Sequence, residues 1–399
     1  MKILIVSASP HLCTRLGRMN RDAINYFSAK NEVSSAVWHL NENWVTKEDD
    51  QYKYKLENGT YCNLYPIPSN MEDASTKLYD LVNDIKPEIV LSIGDYLETA
   101  FVYTLKAINQ EMFKWVGVFT INSVPINDKF IEMFDAVDYP VCTNKIGTEE
   151  INKRLKDKCK YIPYGPDHKK FYEDSLIRVS RNIDSDGMVV MNSSKNSQSC
   201  NLGNALEAAN NLQEIYFNFH LNYSDPGEYD LKVLLNRFKN VNIDFEKFSS
   251  VNDGMTDEEL NEQYNRSDVF IDVSARSSTA LSVLEAMGCG CVPVGVNGGA
   301  IGEIISLMPK DMRFIIPSIK YIGSREETLY ISSAGSIEQV LLELLDVKKR
   351  NNCFFIEMGK ESRRIAARFS KDLFLRKLDV ILDDAKNNTK KYFSIEEIS

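Results

Sequence analysis

The chain has 399 residues, 43% of them hydrophobic, and this length predicts two domains with hydrophobic cores of their own. Its net charge of −10 excludes a global attraction to nucleic acids or anionic lipids, so such a partner would need a local basic patch. The chain has eight cysteines without a Cys-x-x-Cys pair and only four histidines, so we expect neither a zinc cluster nor a disulfide framework. No apolar run approaches the roughly 20 residues of a membrane span, so we expect no transmembrane segment. These features indicate a cytoplasmic protein.

The N-terminal part predicts a strand, a loop, a helix and a second strand. Residues 2–9 (KILIVSAS) and 32–40 are apolar runs typical of buried parallel strands. Gly17 lies where the loop meets the helix, with Arg15, Arg18 and Arg21 around it. Because arginine suits bidentate contacts with planar anions, these cations either meet a phosphate or an anionic acceptor, or they form a solvated helix face.

The chain then alternates strands and helices. Polar residues 44–68 predict a long insertion or a small hairpin. Helices are predicted at 77–85 and 148–155, and strands at 88–93, 115–121 and 136–143. Asp95 and Asn122 each follow a strand, at the sheet edge where ligands bind in open parallel sheets. Five cations within residues 153–160 form either a solvated face or a contact for a polyanion.

The second half repeats this alternation. Strands are predicted at 187–192, 215–221 and 241–245, and helices at 204–212, 256–264, 338–345 and 360–378. Residues 268–296 read as one strand–helix–strand crossover. An Asp-Ser-Asp sequence at 184–186 has the spacing of a metal site, but it lies in a polar linker and is not expected to bind metal.

The loop after the strand of this crossover offers groups that bind anions. Ser277, Ser278 and Thr279 precede the next helix, whose free N–H groups and positive dipole end suit phosphate oxygens. Glu285 lies about two turns further on, and its carboxylate can accept two hydroxyl hydrogen bonds, as a ribose diol would supply. The plainer interpretation is an ordinary helix cap followed by a partly exposed glutamate.

This stretch resembles the donor-binding signature of the retaining nucleotide-sugar glycosyltransferases of the GT-B architecture, the broad group 1, family 4-like class that includes sucrose synthase. The family pattern is a strand, Ser-x-x-Glu-Gly-x-Gly, an apolar helix with Glu-Ala-Met-Ala-x-Gly, and a Pro-Val strand. Ser274, Glu285 and Gly290 match it in register. Residues 161–172 (YIPYGPDHKKFY) also resemble the motif that ends the first domain of the family.

Two departures from the family pattern concern the chemistry. The first glutamate of the family pair is Ser277 here, and Cys200 stands where the family has a phosphate-binding lysine. Lys195 remains at the place of the family's arginine, and Arg276 is predicted to supply a second positive charge. A histidine or carboxylate of the family is replaced by Asn122, which leaves the general base undefined.

The resemblance implies an α/β fold with two Rossmann-like domains whose parallel sheets face each other across a cleft. The implied boundaries are an acceptor-side domain at 1–166, a donor-binding domain at 167–372, and a terminal helix at about 373–399 that packs back on the first domain. Catalytic roles fall to Lys195, Arg276 and Asn122. Donor binding falls to Glu285, Ser277, Ser278, Thr279, Gly17, Gly298 and Gly299.

The implied function is transfer of a sugar from a nucleoside diphosphate sugar to a hydroxyl acceptor, with retention and without a metal or other cofactor. The acceptor is a glycan or a hydroxymethylated base of viral DNA. The competing hypothesis is a non-catalytic, degenerate transferase that binds a sugar nucleotide or assists a partner subunit. The sequence leaves the donor sugar, the base and the oligomeric state open.

Overall fold

A computed structural model describes residues 1–41, 45–48, 51–68, 70–179, 187–222, 229–230, 233–234, 236–238, 243–248, 254–324 and 326–388. The Asp-Ser-Asp sequence at 184–186, the first two residues of the strand predicted at 241–245, and the end of the predicted terminal helix at 389–399 lie outside these residues.

The first half of the chain builds one sheet, whose strand order is β3-β4-β5-β2-β1-β6-β7-β8-β9. All pairs from β5 to β9 are parallel, and β3, β4 and β5 are joined by antiparallel pairs. Its strands are β1 (Lys2–Ala8), β2 (Glu32–Trp38), β3 (Thr46–Glu48), β4 (Gln51–Lys55), β5 (Tyr61–Pro66), β6 (Ile89–Gly94), β7 (Lys114–Phe119), β8 (Tyr139–Cys142) and β9 (Lys160–Tyr161). The accompanying α-helices are Arg15–Phe27, Met71–Ile85, Ala100–Ile108, Ile131–Ala136 and Lys145–Leu155.

Helix Arg15–Phe27 shows why these elements form where they do. The Thr14 hydroxyl caps it by accepting a hydrogen bond from the Gly17 N–H at 3.2 Å. Met19, Ala23 and Phe27 recur at helical spacing, and all three are buried against the sheet. This packing directs the start of the helix to the carboxyl end of β1.

The second half builds a parallel sheet in the order β12-β11-β10-β13-β14-β15, with a separate hairpin β16-β17. Its strands are β10 (Met188–Ser194), β11 (Ile215–Asn222), β12 (Ile243–Phe248), β13 (Val269–Asp272), β14 (Val292–Val296), β15 (Phe314–Ile316), β16 (Ile319–Ile322) and β17 (Thr328–Ile331). The α-helices here are Ser175–Val179, Leu202–Asn211, Asp257–Arg266, Leu281–Gly288, Gly299–Ile305, Ala334–Arg350, Asn352–Ala366 and Lys371–Asn387. Two hydrophobic clusters of this half are distinct from the core of the first sheet.

The stretch read as an insertion or a hairpin forms antiparallel pairs, as the hairpin alternative requires, and these strands extend the first sheet as β3, β4 and β5. Two predicted elements differ from the structure. The segment Ile131–Ala136 is a helix, so the strand predicted from residue 136 begins only at Tyr139. The single helix predicted at 360–378 is two helices, because Ser370 is extended and its side chain caps a new helix by accepting from the Leu373 N–H at 3.1 Å.

The last described helix, Lys371–Asn387, belongs to the first core. Phe374, Leu378 and Leu382 are buried there among the strands of the first sheet. The chain therefore crosses between its two halves twice. The two crossings touch, since the Lys371 N–H donates to the Pro166 carbonyl at 3.2 Å.

Close approach of the backbone holds the two crossings together. A Cβ atom at Gly165 would lie 2.5 Å from backbone atoms of both Phe369 and Ser370, so only glycine fits there without a shift. The Lys371 ammonium also lies 2.8 Å from the Asp167 carboxylate. The boundary predicted at residue 166 remains a prediction; it falls between β9 and β10. Within the described residues, no helix is both long enough and apolar enough to cross a membrane.

Candidate functional site

The carboxyl ends of the parallel strands of both sheets surround a small cavity that is partly open; its empty space of about 220 Å³ includes open solvent. Its lining residues come from loops that follow β7, β13 and β14, from the start of helix Lys145–Leu155 and from β17. They are Asn122, Ser123, Val124, Ile146, Ala275, Arg276, Gly299, Thr328 and Tyr330. The predicted site residues Asn122, Arg276 and Gly299 are thus brought together at the carboxyl ends of parallel strands, where ligands bind in open parallel sheets.

Polar contacts orient the side chains of this cavity. The Asn122 amide donates to the Asp95 carboxylate at 2.6 Å, which joins the two loops predicted to lie at this edge. The Arg276 guanidinium lies 3.4 Å from the buried carboxylate of Glu327, so its positive charge is only weakly paired. Arg15 reaches the same region and donates to the Thr120 hydroxyl at 3.3 Å.

The predicted glycines serve close packing. A Cβ atom at Gly298 would lie 2.2 Å from the ring of Tyr330, which lies over this turn. Gly299 has φ of +58°, and a Cβ atom there would lie 2.7 Å from the Ser277 carbonyl oxygen. Gly17 lies elsewhere, packed against Leu12, and a Cβ atom there would lie 2.4 Å from the Leu12 carbonyl oxygen. At each of these three positions a larger residue would therefore collide with neighbouring atoms.

The hydroxyl-rich loop does not cap the following helix, so the plainer interpretation of this loop as a helix cap is wrong. Helix Leu281–Gly288 begins after Ala280, which adopts φ 48°, ψ 36° and has no side-chain oxygen to cap with. The Ser278 carbonyl instead accepts hydrogen bonds from the Asn144 amide at 2.8 Å and the Thr143 hydroxyl at 3.3 Å. Ser278 and Thr279 are buried, and the Ser278 hydroxyl has no hydrogen-bond partner among the described residues.

Glu285 lies at the centre of a buried polar cluster and not on the surface. Its two carboxylate oxygens accept from Arg18 at 2.7 Å and from the Tyr264 hydroxyl at 3.1 Å. Arg18 comes from the first helix of the chain and also contacts Asp257 at 3.0 Å. Lys170 contacts the other Asp257 oxygen at 2.7 Å. One arginine is therefore shared by two carboxylates.

The pKa values of this cluster follow from burial and charge. Burial raises the pKa of Glu285 to about 7, although Arg18 favours the carboxylate. Burial also opposes ionisation of Asp257, but Arg18 and Lys170 outweigh it and lower the pKa of Asp257. Burial by itself lowers the pKa of Arg18, while the two carboxylates raise it by more, so the guanidinium remains charged.

Solved structures of other proteins share this architecture over nearly their whole length. A sucrose-phosphate synthase from Thermosynechococcus elongatus matches with a TM-score of 0.74 at 12% identity, over 98% of this chain and 100% of that one. This chain has the GT-B fold. The sequence-based prediction of the fold is confirmed.

Two further GT-B structures match at lower TM-scores. An E. coli structure named as trehalose-6-phosphate bound with UDP-2-fluoro glucose matches at 0.64 and 11% identity, over 97% of this chain and 99% of that one. The catalytic domain of starch synthase IV from Arabidopsis thaliana, bound to ADP and acarbose, matches at 0.65 and 10% identity over the same shares. No protein-family model and no curated protein matches the sequence. At these identities the likeness shows the fold alone.

In this GT-B fold, the loop that carries Lys195 lies beside the Arg276 loop. The Ala275 N–H donates to the Ser199 carbonyl at 2.8 Å, and Lys195 itself is exposed. Burial and the nearby Asp272 raise the pKa of the Cys200 thiol, so this residue supplies no charge in place of a lysine.

Two side chains of the GT-B cleft that make close contacts, those of Glu303 and Tyr330, were not predicted from the sequence as site residues. The Glu303 carboxylate accepts from the backbone N–H groups of Lys145 at 3.0 Å and Ile146 at 2.7 Å, at the start of a helix of the other half. The Tyr330 ring covers Gly298, and hairpin β16-β17 had no clear signal in the sequence. Glu303 lies five residues after the predicted Gly298, and this position in the sequence indicates no partner for its carboxylate.

Proposed function

We propose that this chain is a glycosyltransferase that moves a sugar from a nucleoside diphosphate sugar to a hydroxyl acceptor, with retention and without a metal. The observation that carries the proposal is the cavity where Asn122, Arg276 and Gly299 meet between the carboxyl ends of two parallel sheets. The GT-B fold shared with a sucrose-phosphate synthase and a starch synthase supports the same class of reaction.

The charged groups suit a departing diphosphate. The bond between the anomeric carbon and the donor phosphate oxygen breaks, and its electron pair leaves with the diphosphate. Arg276 and the exposed Lys195, on adjacent loops, neutralise that charge. The acceptor oxygen forms the new bond to the anomeric carbon, and its proton passes to the leaving diphosphate, so no protein base is needed.

The remaining predicted residues hold the rest of the donor. Ser277 and the N–H groups of Ser278 and Thr279 bind the distal phosphate, and Glu285 accepts hydrogen bonds from the ribose hydroxyls. Replacing Glu285 by Ala is expected to weaken nucleoside diphosphate binding by roughly 1.5–3 kcal/mol, the typical contribution of hydrogen bonds to a charged group. Isothermal titration calorimetry checks this, and unchanged affinity would remove Glu285 from the donor site.

Surface charge favours a glycan as the acceptor over DNA. Within the basic stretch 153–160, Arg154 contacts Asp128 at 2.6 Å and Glu150 at 3.0 Å, while Lys158 contacts Asp135 at 3.0 Å. Cations already paired with carboxylates attract phosphates less strongly. A hydroxymethylated base of viral DNA stays as the second acceptor to be tested.

A non-catalytic sugar-nucleotide-binding protein or partner subunit is the second candidate function. The observation that favours it is the loss of two family groups, since Ser277 and the neutral Cys200 replace a glutamate and a lysine. Binding of a nucleotide without turnover is the expected behaviour of such a protein.

Mass spectrometry after incubation with a panel of nucleoside diphosphate sugars separates these candidates. Nucleotide release with a sugar mass added to a glycan or to hydroxymethylated DNA supports the transferase and identifies the acceptor. Arg276→Ala and Lys195→Ala are expected to lose turnover while they stay folded, and Lys310→Ala, an exposed cation of the same half, is the matched control. Binding without release from any donor would replace the transferase by the binding protein.

A further inference from the structure

Arg18 links the two halves of the chain at the predicted nucleotide site. Arg18 belongs to a helix of the first half, and its guanidinium lies 2.7 Å from the Glu285 carboxylate and 3.0 Å from the Asp257 carboxylate of the second half. It also lies over the ring of Phe171, 5.8 Å from the ring centre. With 13% of its side chain exposed, Arg18 forms a shielded ion pair, which salt screens less than a surface pair.

These contacts use the atoms that a ribose would need. Arg18 and Tyr264 each donate to a different oxygen of Glu285, whose side chain is 4% exposed. Each carboxylate oxygen keeps a further acceptor position, but at 4% exposure a ribose diol cannot reach these positions while Arg18 lies against Glu285. Arg18 therefore blocks the access of a ribose to Glu285.

Neighbouring contacts close the same site in the same way. The Ser278 carbonyl accepts from Thr143 and Asn144 of the first half, and Glu303 accepts from the N–H groups that begin helix Lys145–Leu155. The cavity has room for about one water molecule, far less than a nucleotide needs. A donor thus enters only when these contacts between the halves open.

We propose that Arg18 competes with the nucleotide ribose for Glu285, so that their ion pair holds the two halves together until a nucleotide displaces it. The inference rests on the proposed function, in which Glu285 binds the ribose. It makes Arg18 a determinant of donor affinity, although Arg18 itself need not touch the donor. Part of the binding energy of the nucleotide is spent on breaking the pair, which weakens the apparent affinity.

The test compares the affinities of UDP, ADP and GDP for the full-length wild type and for Arg18→Ala by isothermal titration calorimetry. Loss of the competing cation is expected to tighten binding on the order of tenfold, because the site is open in a larger fraction of molecules. Lys30→Ala removes an exposed ion pair with Asp379 just beyond the same helix, and it is expected to leave the affinity unchanged.

Asp257→Asn provides a second route to the same conclusion if Arg18→Ala does not fold. This substitution removes the second carboxylate that pairs with Arg18 across the two halves. It is expected to tighten nucleotide binding by a smaller factor than Arg18→Ala. Unchanged or weaker binding in a folded Arg18 variant, with normal binding by the wild type, overturns the competition alone. If neither the wild type nor any variant binds a nucleotide, the proposed function fails, and the competition fails with it.

Discussion

Removal of the Glu303 carboxylate is expected to destabilise the contact between the two halves of the chain. This side chain accepts two backbone hydrogen bonds, from Lys145 at 3.0 Å and Ile146 at 2.7 Å, at the positive end of a helix dipole. Hydrogen bonds to a charged group contribute about 1.5–3 kcal/mol each. Burial raises the pKa of Glu303, because ionising a buried carboxyl group is unfavourable. This unfavourable free energy offsets part of the stabilisation from the two hydrogen bonds. We therefore expect Glu303→Ala to cost about 2–4 kcal/mol, and Glu303→Gln, which retains one acceptor oxygen, to cost less.

Urea unfolding followed by circular dichroism measures this loss as a lower midpoint of the transition. Glu149→Ala is the matched control, because Glu149 is exposed on the same helix that Glu303 contacts. Equal midpoints for Glu303→Ala and Glu149→Ala would show that the contact contributes nothing, and would refute the reasoning.

Two further predictions concern packing and pH. Gly165→Ala is expected to lower the midpoint of urea unfolding, at a cost of about 1–3 kcal/mol, because its Cβ atom would lie 2.5 Å from the backbone of Phe369 and Ser370. Gly335→Ala, whose Cβ atom would meet no described atom within 4 Å, is the control and should not destabilise. Burial, together with the nearby Arg18, lowers the pKa of His220 from 6.5 to about 4. Between these two pH values His220 is therefore protonated in the unfolded chain and neutral in the folded chain. The free energy of unfolding should therefore fall by roughly 3 kcal/mol as the pH drops from about 6.5 to about 4, and His220→Gln should show a smaller fall. Identical pH profiles for the two proteins would contradict this assignment.

The buried strands could be predicted from sequence because each one has a local signal. The segments Lys2–Ala8 and Val292–Val296 are short β-branched runs that suit only a sheet covered on both faces. The break between the last two helices also had a local signal, the capping residue Ser370, but an amphipathic pattern that continues across it hid the boundary.

The partners of the site residues could not be predicted in this way. Arg18 and Glu285 are 267 residues apart, and nothing near either residue specifies the other. Ala280 has a positive φ of 48°, a conformation that glycine or asparagine would have indicated and alanine does not. Sequence reasoning therefore located the loops of the candidate site, whereas the contacts between those loops required the structure.

The paired chain crossings near Pro166 and Lys371 restrict how the two halves can move. Two adjacent covalent connections define an axis, and rotation about that axis leaves the backbone of both connections nearly undisturbed. Twisting across the axis would pull apart the Lys371 and Pro166 backbones, which lie 3.2 Å from each other. A protease cut at one connection would also leave the halves joined through the other, so nicked protein should elute as a single intact particle.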